Sequence, residues 1–127
     1  MANIRIVKLS SAAGPPEVEI IFGQAHVGSY RCFLWDKNGE NSQEIAHGNN
    51  VDPLPDKFSL GLSATDLNQR IFSCEAIISA PSSGPGQLFS LTILFRQDGI
   101  VVSNGMIQHN GALDDSKALV EFVRFTV

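Results

Sequence analysis

From Gln87 to Gln97 the chain reads QLFSLTILFRQ, and this alternation restricts the fold more than any other feature. Phe89, Leu91, Ile93 and Phe95 fall at every second position, while Ser90, Thr92 and Arg96 share the other face with Leu88 and Leu94. That is the spacing at which side chains reach one face of a strand, and a helix would scatter it. Asp98-Gly99 follows, a dipeptide that accepts the positive φ angles of a tight hairpin, and IVVSNGMIQH returns as the partner strand with a bulge or second turn at Asn104-Gly105. The same period predicts strands over 3–9, 17–23, 28–36, 42–47, 57–63, 70–80 and 118–127. Gly14-Pro15-Pro16, HGNNVDPLPD (47–56) and PSSGPG (81–86) separate them as loops. Single helical turns are expected at Ala64 to Asn68 and at Leu113 to Lys117, neither long enough to act as a packing element.

The pattern implies an all-β chain: an antiparallel β-sandwich of about eight or nine strands, with a partly closed β-barrel as the alternative. At 127 residues the chain fits one domain, 1–127, with room for a core that needs neither disulfides nor metal. The net charge is −4 and the nine cations stand singly along the sequence, so there is no basic stripe for a phosphate backbone, and nucleic acid is excluded as a partner. No apolar run approaches a membrane span, and MANIRIVKL lacks the plan of a secretory signal. The expectation is a cytoplasmic protein, although a mature secreted chain with an added methionine would read the same. Cys32 and Cys74 are too far apart for a CxxC pair and lack the tryptophan and tyrosine-corner setting of an immunoglobulin bridge. They are expected to be buried free thiols.

FLWDKNGENSQEI (33–45) has the oxygen-rich look of a calcium loop. Asp36 and Asn38 match its first and third ligand positions, but the glycine comes fourth and the twelfth position is His47. A hairpin turn with Asn38-Gly39 at its centre fits better. His26, His47 and His109 show no ligand spacing, Ser63 in GLSAT lacks the nucleophile elbow, and both cysteines have apolar neighbours. PSSGPG has prolines where a phosphate cradle needs N–H donors. No catalytic residue, metal site or cofactor is expected.

Three functions follow. The first is a non-catalytic interaction or structural module that associates with itself or with a protein partner. The second is a carbohydrate- or small-ligand-binding module. An indole stacks on a sugar ring while acids and amides bond its hydroxyls, so Trp35, Asp36 and Asn38, with His47, Asn49, Asn50 and Asp52 of the following loop, are its candidate residues. Against this, a lone tryptophan commonly anchors a core. The third is an enzyme with a site assembled from distant residues. Self-association rests on KALVEFVRFTV (117–127): Leu119, Val123 and Phe125 serve one face, yet Ala118, Val120 and Phe122 make the other apolar as well. Only 17% of residues are charged, so part of the surface is left to neutral groups.

Overall fold

A computed structural model describes residues 4–23, 27–49, 56–79, 87–113 and 116–127. Among these residues nine strands follow one another: β1 (Ile4–Lys8), β2 (Glu17–Gly23), β3 (Val27–Trp35), β4 (Ser42–Asn49), β5 (Asp56–Ser59), β6 (Ile71–Ser79), β7 (Gln87–Gln97), β8 (Ile100–Leu113) and β9 (Ser116–Thr126). A single helical turn, α1 (Ala64–Leu67), lies between β5 and β6. The chain is all-β, as its alternation requires.

The strands form one mixed sheet in the order β4-β3-β6-β9-β1-β8-β7-β2-β5. Of the two expected architectures the partly closed barrel describes it, because the sheet is continuous and curls until its edges approach. One half, β4-β3-β6-β9-β1, faces the other, β8-β7-β2-β5, as the layers of a sandwich do. Lys8 opposite Ser103 joins the halves on one side. On the other, the Tyr30 hydroxyl on β3 donates to Asp56 Oδ2 on β5 at 2.8 Å. All pairings are antiparallel except that of β1 with β9, which run parallel with Ile4 opposite Phe122 and Lys8 opposite Thr126.

Alternate residues from both halves meet in one core. Phe95 packs edge-on to Phe72 at 5.2 Å and to Phe125 at 5.7 Å between ring centroids, and all three are fully buried. Such T-shaped contacts add to the burial term through the ring quadrupoles. Gln97, buried on β7, accepts from Ser10 N and donates to the carbonyls of Ser10 and Gly14, which fixes the β1–β2 connection without leaving its amide unpaired. Ser63 caps α1 by accepting from Asp66 N, and Ala64 and Leu67 enter the core.

Turn chemistry matches the sequence in part. Asp98 and Gly99 have φ of 51° and 80°, the pair of positive values expected of the hairpin, and Asn104 at 59° forms the bulge. At the β3–β4 connection only Gly39 has positive φ, at 72°. The loop is therefore longer than a two-residue turn: Asp36 N donates to Asn41 O and Gly39 N to Asp36 O. The helical turn expected over Leu113 to Lys117 is not found, since Leu113 ends β8 and Ser116 and Lys117 begin β9, while Asp114 and Asp115 lie outside the described residues. Among the described residues no helix is long and apolar enough to cross a membrane.

Candidate functional site

Sheet register decides which candidate side chains share a surface. On β3, Tyr30, Cys32 and Leu34 point into the core, so Arg31, Phe33 and Trp35 face outward. On β9, Val123 and Phe125 are buried with Leu119 packed against them, which turns Ala118, Val120, Phe122 and Arg124 outward. Register then fixes their neighbours: Ala118 lies opposite Ile77, Val120 opposite Glu75, Phe122 between Ser73 and Ile4, and Arg124 between Ile71 and Ile6. The result is a contiguous apolar patch on the outer face of β6-β9-β1. Ile77 is 57% exposed, Val120 51%, Ile6 46% and Ile4 44%, with Phe122 half-buried among them.

Charges of both signs border the patch. Arg31 lies opposite Glu75, donates from Nε to Glu44 Oε1 at 2.9 Å and sits over the Phe33 ring at 5.2 Å. The bond to Glu44 holds its guanidinium pKa above the ordinary value. Arg124 donates to the carbonyls of Lys37 and Gln69 at the far end.

The candidate ligand residues are divided by the same register. Trp35 is not the core anchor a lone tryptophan suggests: it is half-buried on the outer face, its Nε1 donating to Ser73 Oγ at 2.9 Å. Asp36 is committed to its own turn. Its Oδ1 accepts from Asn38 N and Glu40 N, and its Oδ2 from Asn41 Nδ2. These bonds, the one from Glu40 first, hold its carboxyl below the ordinary pKa. Asn38 is exposed at the turn. His47 and Asn49 stand opposite Arg31 and Ser29, whereas Trp35 stands opposite Ser42, so they occupy the other end of the β3–β4 pair and do not converge on the indole. Asn50 and Asp52 lie outside the described residues, as does His26.

Two features go beyond the candidate set, although the first takes in His47 and Asn49 from it. The first is a seam between the edge strands β4 and β5, where a cavity of about 730 Å³ is bordered by Tyr30, Ala46, His47, Gly48, Asp56 and Lys57. Burial, then the bond to Asp56, pushes the Tyr30 phenol pKa well above its ordinary value. The second is an inward row. Cys32 lies opposite Cys74, Cys74 opposite Glu121, and Glu121 Oε1 is 2.5 Å from His109 Nε2 on β8. Both thiols are free and buried, as expected. The contact with Cys74, and then burial, raise the Cys32 pKa far above the ordinary thiol range. Here the carboxylate stands between thiol and imidazole, the reverse of the order by which an imidazole activates a thiol. Among the described residues no three His, Cys, Asp or Glu side chains converge as a metal site.

Comparison of the chain with protein-family models, curated proteins and solved structures finds no match in any of the three.

Proposed function

We propose that this chain is a non-catalytic interaction module whose partner is a second copy of itself, docked through the outer face of β6-β9-β1. The observation that carries the reading is the patch of Ile4, Ile6, Ile77, Val120 and Phe122, which no other part of the described chain covers. A twofold copy fits it because the border carries Arg31 and Arg124 together with Glu44 and Glu75. A border of one sign would repel its own image, while a mixed one can pair with it. Burying the remaining half of four such aliphatic side chains contributes about 1 kcal/mol each, or about 8 kcal/mol over two copies. Association costs on the order of 4–15 kcal/mol, so at the low end about 4 kcal/mol remains and the dimer is weak, with a dissociation constant of about a millimolar. Sedimentation velocity from low micromolar to near-millimolar concentration tests the reading: a rising weight-average mass supports it, and a monomer throughout removes it.

The seam cavity favours one other reading, a small-ligand module working at the His47 to Asp56 side without Trp35. Its test is titration with neutral sugars followed by amide chemical shifts, which must move over Glu44 to Asn49 and Asp56 to Phe58 together and nowhere else.

A further inference from the structure

Cys32 and Cys74 come from distant parts of the sequence, yet they stand directly opposite one another on antiparallel β3 and β6. Both point into the core, 0% and 2% exposed. Directly opposed residues of an antiparallel pair have Cα atoms about 4.5 or 5.5 Å apart, according to the type of pair. A disulfide accepts about 4.4–6.8 Å between Cα atoms, so the backbone spacing of the pair falls within its range and closure is left to rotation and approach of the two side chains. We propose that these two thiols are a two-electron redox site that forms a reversible cross-strand disulfide by exchange with a small disulfide such as oxidised glutathione.

The surroundings give the pair an entrance and a proton outlet. Tyr30, two residues before Cys32 on the same face of β3, and Ala46, opposite Cys32 on β4, both border the seam cavity. The seam is held by the bond from Tyr30 to Asp56, and opening it admits the oxidant to Cys32. On the far side Glu121 stands opposite Cys74 and bonds the part-exposed His109, so a proton leaving Cys74 has an acceptor on the way to solvent. In the reaction, once the seam is open, the Cys32 sulfur attacks one sulfur of glutathione disulfide, forming a mixed disulfide and expelling one glutathione thiolate, which takes up the Cys32 proton. The Cys74 thiolate then attacks the Cys32 sulfur and expels the second. The two cysteines lose two electrons and two protons, and glutathione disulfide is reduced to two thiols.

The test incubates the folded native protein with glutathione disulfide, quenches in acid, alkylates in denaturant and weighs the product. The expected species is a monomer two hydrogens lighter, with no alkylated cysteine and no retained glutathione, that returns to two thiols with dithiothreitol. Tyr30→Phe, which removes the seam bond, is expected to react about tenfold faster, the factor for losing about 1.4 kcal/mol of hydrogen bonding. Cys74→Ala is expected to stop at a persistent glutathione adduct on Cys32. Thiols that survive in the folded protein and disappear only in proportion to the fraction unfolded by urea would overturn the site. So would intermolecular dimers, or adducts on the native protein that never resolve. A Tyr30→Phe variant that folds and reacts no faster would overturn the seam as entrance.

Discussion

Val120→Lys separates self-association from folding. Val120 is 51% exposed, and its cross-strand neighbour on β6 is Glu75. In the monomer, lysine gives up little burial and gains an opposite charge directly across the strands, worth about 0.2–1 kcal/mol. The urea midpoint should therefore correspond to a stability within about 0.5 kcal/mol of the native protein, the usual range for a surface change. In a twofold dimer each substitution counts twice. Losing the remaining burial costs about 1 kcal/mol per copy, and desolvating an ammonium costs at least that much again. The sum is about 4 kcal/mol, which weakens the dissociation constant about a thousandfold. Sedimentation equilibrium should then find the variant monomeric at concentrations where the native protein dimerises, with circular dichroism to show that the variant keeps its strands. A variant that folds and associates as the native protein does would refute the reasoning, because the patch would then lie outside the interface.

The other outcomes concern the seam and the β3–β4 turn. Tyr30 is the only tyrosine, so phenolate absorbance reports this one group. Its folded pKa lies above the ordinary 10.0, so the stability it contributes is complete below pH 10 and is lost as pH rises toward the folded value. The native protein should show no phenolate at a pH where the urea-unfolded chain is half ionised, and its urea midpoint should fall above pH 10, a decline that Tyr30→Phe abolishes at a cost of about 1.5 kcal/mol at neutral pH. Gly48→Ala should destabilise by about 1–3 kcal/mol in urea unfolding, because a Cβ there would collide with the Asp56 carboxylate and lie 2.9 Å from the Tyr30 ring. Asp36 has the opposite sign to Tyr30: its folded pKa is depressed, so its contribution is complete above its ordinary 3.8 and fades as pH falls through the lower folded value. Acid titration of the urea midpoint should show this loss in the native protein and a smaller one in Asp36→Asn.

Strand positions were legible because burial on one face writes itself into alternation; β2 and β7 lie where the sequence places them. Partners were not. Nothing local in Ile4 to Lys8 says that it runs parallel to β9, since that pairing is selected by the whole curled sheet. The inward row of Cys32, Cys74, Glu121 and His109 draws on four strands and therefore leaves no motif. Trp35 and Asp36 misled in a different way. Their chemistry suits a sugar, but the indole N–H is taken by Ser73 and the carboxylate by its own turn, and such local bonds are visible only once the backbone is placed.

The second apolar face of β9 was legible, and the structure sharpens why it matters. Leu119, Val123 and Phe125 already fix the register of β9, since a slip of one residue would expose all three. Ala118, Val120 and Phe122 are therefore not needed to specify the fold. Strand propensity alone would favour valine and isoleucine on the outer face, but threonine is equally β-branched and would serve an isolated monomer without exposing hydrocarbon. Thr92 and Thr126 show that the chain uses threonine in its strands. Isoleucine at 4, 6 and 77 and valine at 120 leave about half of each side chain exposed as hydrocarbon, where threonine would present a hydroxyl. What those four side chains have in common is hydrocarbon that the described chain leaves uncovered, and it is this surface that the proposed dimer would bury.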